Sequence, residues 1–175
     1  MARDPMKQHQ QQDTFDDWFA QHRGLFFKVA RAHAFTPHDR DDLFQEIAAQ
    51  VWHSIPNFRG ECAVTTWIYR VALHCAMAWS WKEKRRRDRR QDLDQEVPPR
   101  ILTAERVDRR LEWLFEQIAQ LEDIDRALTL LLLDGFSHRE MATTLGLSET
   151  NVGVKIHRIK NQLVQKSREE EHHGL

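Results

Sequence analysis

The segment that decides the fold covers residues 41–90 and reads DDLFQEIAAQVWHSIPNFRGECAVTTWIYRVALHCAMAWSWKEKRRRDRR. It begins with an acidic stretch whose apolar residues recur at the spacing of an amphipathic helix. Pro56 ends this helix, and a short polar turn, NFRGE at 57–61, follows. A second helix, rich in aromatics, is predicted from about residue 63 to 87 and closes in a block of arginines. Acidic, aromatic and basic surfaces in this order indicate one face for a protein and another for nucleic acid.

Charge is segregated along the chain, although the formal net charge of the 175 residues is only -1. Residues 82–90 hold seven Lys and Arg against two acids, a local charge of +5. Residues 151–168 hold five cations and no acid. Acidic residues gather instead at 13–17, 39–46 and 105–125. This separation is typical of a protein that meets both a polyanion and a basic protein surface.

The composition argues against several classes of protein. No apolar run approaches the roughly 18 residues of a membrane helix, and the polar start has no apolar signal core. The two cysteines, Cys62 and Cys75, form neither a metal-ligand spacing nor a disulfide framework. We expect reduced thiols, and whether either one senses redox state stays open. Without a membrane helix or a signal core, we expect a cytoplasmic protein without membrane insertion. No cofactor, metal site or nucleophile–base pair is indicated, so we also expect that the protein is not an enzyme.

The sequence predicts an all-α fold of two small helical domains joined by a flexible linker. Helical periodicity runs through residues 13–90, returns at 109–167, and is accompanied by no strand pattern. Between them, residues 91–108 contain two consecutive prolines and few aromatics, which is typical of a linker. Fully extended, that linker would span at most roughly 60 Å. We expect residues 1–12 to form a disordered tail and residues 168–175 to form a frayed one.

A helix–turn–helix is predicted at residues 137–163. Ser137 and Glu140 have the spacing of a capping box, Gly146 suits the turn, and Ser148 can cap the second helix. The second helix pairs an apolar stripe with a polar and basic face, as a helix lying in a major groove requires. An ordinary helical hairpin with a solvated basic face is the other interpretation. The candidate DNA contacts are Ser148, Thr150, Asn151, Gly153, Lys155, His157, Arg158 and Lys160.

Taken together, the segments at 41–72 and 136–163 resemble the short, two-domain sigma factors of bacterial RNA polymerase. These are the extracytoplasmic-function (ECF) group of the sigma-70 family. The similarity covers about residues 13–166 and includes the order of the two motifs and the linker between them. It implies a protein that binds core RNA polymerase, directs it to promoter DNA and assists melting of the start region. It also implies an anti-sigma factor as a partner, which could hold the chain near the membrane.

The resemblance also assigns residues. The acidic helix would dock on the polymerase through Asp42, Gln45, Glu46, Gln50 and Trp52. The turn resembles the part that captures a flipped base of the minus-ten promoter element, with candidates Asn57, Phe58, Arg59, Gly60 and Glu61. Extracting a base costs a few kcal/mol, which a protein pocket offsets. The next helix would support the melted strand and hold duplex phosphates through Trp67, Tyr69, Arg70, Lys84, Arg85, Arg86 and Arg87. The helix–turn–helix would read the minus-thirty-five element.

Some features leave alternatives open. Trp67 fits a core position equally well, and the arginine block could be a solvated helix end. Relatives often carry Arg and Ser or Lys where this chain has Gly153 and Val154, so the promoter sequence does not carry over. A glycine inside a helix costs up to about 1 kcal/mol, and our hypothesis for Gly153 is close approach to the DNA backbone. Two rival functions are a stand-alone DNA-binding regulator that ignores polymerase, and an RNA-binding adaptor or small enzyme built on the Trp-rich helix.

Overall fold

The computed structural model describes residues 5–90 and 109–172. Its contacts divide the chain into two compact units, Met1–Glu105 and Arg106–Leu175. The α-helices are α1 (Pro5–His33), α2 (Pro37–Ser54), α3 (Val64–Arg90), α4 (Arg109–Ala119), α5 (Asp123–Leu133), α6 (His138–Leu145) and α7 (Glu149–His172). The described residues contain no β-strand, which confirms the predicted all-α class. The predicted linker at 91–108 and the chain ends at 1–4 and 173–175 lie outside the described residues.

The first unit is a bundle in which α1, α2 and α3 pack against one another. On α2 the predicted stripe of Leu43, Ile47 and Val51 is fully buried. It meets Phe26 from α1 and Ile68 from α3 in a core with no solvent exposure at these positions. Burial of each such side chain contributes about 1.5–3 kcal/mol to folding. This core leaves the polar side of α2 at the surface.

Capping sets the start of α2 at Pro37, ahead of the acidic stretch that begins at Asp41. Thr36 is the N-cap, and its hydroxyl accepts a 3.0 Å hydrogen bond from the backbone N–H of Asp39. Pro37 occupies the first turn, where its missing N–H costs nothing. At the other end, a 3-10 turn at Ile55–Asn57 contains Pro56, the residue predicted to end the helix. The polar turn at 57–61 therefore begins at the end of this 3-10 turn, three residues after α2.

The chain start differs from the expected disordered tail at 1–12, because α1 already begins at Pro5. Glutamine has good helix propensity, and proline is favoured at the first helical position. A tertiary contact adds to this, since the Nε2 amide of Gln11 donates a 2.7 Å hydrogen bond to the backbone carbonyl of Trp52. Low hydrophobicity of the segment did not reveal that long-range contact. The helix also continues without interruption through Gly24.

The second unit contains α4 to α7, with α5 largely buried. Arg126 of α5 is only 6% exposed and donates to three backbone carbonyls at the end of α4 and beyond it. The acceptors are Ile118 at 3.3 Å, Ala119 at 2.9 Å and Leu121 at 2.8 Å. The last carbonyls of a helix have no N–H partner within the α-helix, and Arg126 donates to two of them and to the carbonyl of Leu121 just beyond. Arg126 thus closes α4 and fixes the turn into α5, a role that the sequence analysis missed.

The helix–turn–helix forms as predicted. Ser137 and Glu140 make both hydrogen bonds of the capping box, and Gly146 ends α6 with a φ of 69°. That left-handed conformation strains residues with a Cβ. The N–H of Asn151 donates to the Ser148 hydroxyl at 3.2 Å, as expected for the cap of α7.

The expected frayed tail at 168–175 also differs from the structure, because α7 continues to His172. Its last turns bind the end of α4: Lys166 donates to Gln117 and Gln120 at 2.9 and 2.6 Å, and Glu170 accepts from the indole of Trp113.

The helices of residues 5–90 and 109–172 include none with the length and the apolar surface that a membrane-spanning segment needs.

Candidate nucleic-acid and protein interfaces

All five predicted polymerase contacts lie on α2, and the four polar ones form an exposed acidic face. Gln45, Glu46 and Gln50 are exposed, and the Gln50 amide donates a 3.1 Å hydrogen bond to the Glu46 carboxylate. The side chain of Asp42 is 46% exposed and lies 3.6 Å from the ring of His38. Trp52 is half-buried, with its ring edge-on to His53 at 4.9 Å. The four polar groups therefore lie at the surface of α2, off the buried stripe, whereas Trp52 projects from another side of the helix than Glu46 and Gln50.

The turn at 57–61 has one anchored residue among exposed ones. Asn57, Arg59, Gly60 and Glu61 are exposed. The ring of Phe58 is half-buried, with ring centroids 5.1 Å from Trp18 and 5.6 Å from Trp67. Such edge-on pairs add about 0.5–1.5 kcal/mol beyond burial. Phe58 thus fixes the turn to the bundle, while its polar neighbours face solvent.

Two predicted DNA contacts on α3 lie deeper than expected. Tyr69 was predicted to support a melted strand, but its side chain has no solvent exposure in this structure. The reason is that Tyr69 shares its helix face with Leu73 and Ala76, both also fully buried. Trp67 is half-buried, and its indole N–H donates to the Ser54 hydroxyl at 3.1 Å. Trp67 is therefore partly a core residue, which was the other interpretation.

An open groove of about 680 Å³ lies between α2 and α3. Its walls include Glu46 and Gln50 from the acidic face together with Asn57, Arg70 and Lys82. Candidate protein contacts and candidate DNA contacts thus border one depression with mixed charge.

Cys75 lies in the same groove and has an unusual pKa. Burial, and secondarily the Glu46 carboxylate, raises the pKa of the Cys75 thiol to about 12. Desolvation and a nearby negative charge both disfavour a thiolate. This thiol is therefore held in its unreactive form near neutral pH.

The end of α3 presents cations around an aromatic ring. Lys84, Arg85 and Arg86 are exposed, and Arg86 pairs with Glu83 at 2.6 Å. Trp81 is 66% exposed and lines a depression of about 410 Å³ with Lys82, Arg85 and Arg86. Aromatic faces beside cations can stack bases and pair phosphates. Trp81 was not among the candidate residues, although its position before the arginine block was a usable signal. Arg87 follows on the same helix.

The outer face of α7 carries most of the predicted reading residues. Ser148, Thr150, Asn151, His157 and Lys160 are exposed, with Asn161 3.0 Å from the ring of His157. Gly153 faces the protein, since a Cβ there would lie 3.8 Å from Nδ1 of His138 on α6. That distance is an ordinary van der Waals contact, so close packing does not require a glycine. The neighbouring Val154 is 65% exposed.

Lys155 and Arg158 are engaged inside the second unit. Both bind the carboxylate of Asp125, Lys155 at 2.7 Å and Arg158 through Nη2. The N-cap of α5 is Glu122, which makes no side-chain hydrogen bond. Asp123 pairs with Arg126 at 3.3 Å. Which carboxylate faces α7 depends on the packing of α5, which local spacing does not reveal.

No cluster of metal-binding side chains occurs among the residues that the structure describes.

Each of the two units matches the model of a known protein family. The family model described as Sigma-70 region 2 matches residues 18–91, and that described as Sigma-70, region 4 matches residues 111–163. The ECF RNA polymerase sigma-E factor of Haemophilus influenzae is 27% identical over 73% of this chain and 74% of its own length. RNA polymerase sigma factor YlaC of Bacillus subtilis is 27% identical over 74% of this chain and 80% of its own.

A solved structure shares the fold. The sigma factor RpoE of Bartonella quintana, in complex with the anti-sigma factor NepR, superimposes with a TM-score of 0.71. The two chains are 17% identical, and the match covers 87% of this chain and 95% of the other.

The two matched regions together cover well over half of the chain, in the order that the sequence predicted. The chain therefore belongs to the sigma-70 family of bacterial RNA polymerase sigma factors. Within that family it is a member of the ECF group, as its sigma-E relatives are. It is a sigma factor, with core RNA polymerase and promoter DNA as its partners, and not a stand-alone DNA-binding regulator.

Proposed function

We propose that this sigma factor docks on core RNA polymerase through the acidic face of α2. The observation that carries the proposal is the coexistence of that face with the matched sigma-70 region 2 and region 4 in one chain. Asp42 and Glu46 supply negative charge, and Gln45 and Gln50 supply amides on the same exposed surface. Complementary charge across an interface fixes its register and speeds association. A basic surface on the polymerase is the expected counterpart.

For the minus-ten element, we assign base capture to the turn at 57–61. Asn57, Arg59 and Glu61 are exposed and carry the donors and acceptors that can read the edge of an extruded base. Phe58 holds the turn against Trp18 and Trp67, so the polar groups start from a fixed frame. Preorganisation of this kind lowers the entropy lost on binding.

We assign the contacts with upstream duplex DNA to the basic end of α3, and recognition of the minus-thirty-five element to α7. The exposed cations Lys84, Arg85 and Arg86 can neutralise phosphates. The N-terminal part of α7, with Thr150 and Asn151 exposed, would enter the major groove. Each phosphate neutralised adds about 0.9 to the slope of log affinity against log salt, so promoter binding should weaken steeply as salt rises. The chain itself would carry out no covalent chemistry.

An anti-sigma factor is a further proposed partner. Support comes from the similarity in fold to the RpoE chain that was solved with the anti-sigma factor NepR. Such a partner would cover the α2 and α3 surfaces that polymerase and DNA need. Polymerase and chromosome share the cytoplasm, so the protein would act there, and a membrane-bound inhibitor could hold it near the membrane.

The decisive experiment is run-off transcription with purified core polymerase on pooled genomic fragments, with and without this protein. Discrete new start sites, and alignment of the sequences upstream of them, would support the function and reveal both promoter elements. Fragments retained on a filter by the protein alone, without any new transcript, would instead point to a regulator that does not use polymerase. Tighter binding to structured RNA than to promoter DNA would overturn the assignment of both DNA-facing surfaces.

A further inference from the structure

A single buried carboxylate holds two cations of the helix assigned to DNA reading. Asp125, in the first turn of α5, is 5% exposed. Its Oδ1 accepts a 2.7 Å hydrogen bond from Nζ of Lys155, and its Oδ2 accepts one from Nη2 of Arg158. Lys155 and Arg158 are three residues apart on α7, so they project from neighbouring turns of one face. One anion thus bridges two cations of the recognition helix.

The two cations differ in what they can still offer to DNA. The side chain of Lys155 is 23% exposed, whereas that of Arg158 is 61% exposed. An ammonium is a compact point charge, and Asp125 already neutralises this one. A guanidinium has five N–H donors in a rigid plane. With Nη2 engaged by Asp125, the remaining donors of Arg158 have one defined orientation on a largely exposed side chain.

Separating Lys155 from Asp125 would destabilise the folded protein. If Lys155 swung out to a phosphate, the buried carboxylate would lose one of its two partners, and an incompletely paired buried charge is strongly destabilising. Arg158, by contrast, can keep its bond to Asp125 and still face a base edge. Bidentate contact of an arginine with guanine depends on the orientation of the guanidinium plane.

We propose that Asp125 is a positioning residue for promoter recognition. It neutralises Lys155 and fixes the plane of Arg158, so that Arg158, and not Lys155, contacts the minus-thirty-five element. The inference rests on the proposed function, because it refines how α7 reads DNA. It also revises the sequence-based role of Lys155, which becomes part of the support for Arg158.

The test uses holoenzyme assembled from the full chain and core polymerase. Its two DNA probes are a promoter fragment recovered by run-off transcription and the same fragment with a scrambled minus-thirty-five element. Affinity for both is measured across a range of salt concentrations. The main variant is Asp125→Asn. Asp123→Asn is the matched control, because it removes the same charge from the same helical turn, where Asp123 pairs with Arg126 of its own helix.

We expect Asp125→Asn to reduce discrimination between the two probes by about fivefold or more, since an oriented arginine–base contact accounts for at least that ratio. Its affinity for the scrambled probe should rise, because Lys155 becomes available to phosphates. The salt slope should steepen by about one unit for that added cation. A merely structural role would not lower specificity while raising non-specific affinity. Discrimination and slope equal to those of Asp123→Asn would overturn the proposal.

One further variant keeps the proposal testable if Asp125→Asn fails to fold. Arg158→Lys keeps the charge but loses the planar donors, so it should lose discrimination; unchanged discrimination would also overturn it. Wild type that fails to distinguish the probes would contradict the proposed function itself.

Discussion

The indole N–H of Trp67, in the first turn of α3, donates a 3.1 Å hydrogen bond to the hydroxyl of Ser54, the last residue of α2. The same hydroxyl donates to the backbone carbonyl of Val51 at 2.8 Å. The relay joins the two helices on either side of the turn at 57–61. It therefore holds the two ends of the segment proposed to capture a base at a set separation.

Substitution of Ser54→Ala and Trp67→Phe, singly and together, tests this relay. Ser54→Ala should lower the free energy of unfolding of the first unit by about 1 kcal/mol. The double variant should lose about 0.5–1.5 kcal/mol less than the sum of the singles, because both remove the same hydrogen bond. Urea unfolding measures each value. Strict additivity would show that the bond contributes nothing.

Charge reversal on α2 should separate polymerase binding from folding. We expect Asp42→Arg combined with Glu46→Arg to weaken capture of core polymerase at least about tenfold, since like charges facing each other cost several kcal/mol. Both positions lie off the buried stripe, so the melting temperature should change little. The control is Glu112→Arg with Glu116→Arg on α4, which has the same spacing and charge change. Equal capture of both double variants would contradict the assignment.

Gly153→Ala should stabilise the protein. An added Cβ meets His138 at no less than 3.8 Å, while the glycine costs helix stability of up to about 1 kcal/mol. Because that Cβ points at α6, we now expect unchanged promoter affinity, contrary to the hypothesis of close approach to DNA. Thermal unfolding and a promoter-binding titration measure the two quantities. A stabilised variant that binds promoter markedly more weakly would restore the earlier hypothesis.

Cys75 should resist alkylation in the folded state. With its pKa raised from 9.0 to about 12, the thiolate fraction at pH 8 is about a thousandfold lower than for an ordinary thiol. Iodoacetamide labelling followed by mass spectrometry, with and without urea, measures this protection. The raised pKa also means that the unfolded chain deprotonates first, so the stabilising preference for the neutral thiol is lost as pH rises from 9 towards 12. Rapid labelling of native Cys75 at pH 8 would contradict the burial argument.

Arg126→Lys should destabilise the second unit by about 1–3 kcal/mol, because an ammonium cannot reproduce the fork that reaches three carbonyls. Arg139→Lys on the exposed face of α6 is the matched control and should change stability by no more than about 0.5 kcal/mol. Denaturant unfolding followed by circular dichroism gives both values. Equal stability of the two variants would mean that water replaces the guanidinium at the end of α4.

Local patterns were sufficient wherever one face of a helix is buried. Leu43, Ile47 and Val51 recur every four residues, and α2 buries that stripe. Ser137, Glu140 and Gly146 likewise act within a few residues of one another, so the helix–turn–helix followed from spacing alone.

Contacts between residues far apart in sequence are what local patterns do not indicate. Tyr69 lies on a helix packed from two sides, and its side chain is buried. Lys155 meets a carboxylate 30 positions earlier, and Gln11 meets a carbonyl 41 positions later. The exposure and the charge partners of such side chains depend on tertiary packing, which spacing along the sequence does not reveal.

The charge of the 24-residue helix α7 changes sign towards its C-terminal end. Its cations lie between Lys155 and Arg168, and acids follow at Glu169 and Glu170. At 1.5 Å per residue, this change of sign occurs within a helix about 36 Å long, close to one turn of duplex DNA. If α7 reads DNA as proposed, a duplex should be attracted by the exposed cations in the middle of the helix and repelled by the acids of its last turn. This uneven charge would then act on the association rate before any base is contacted.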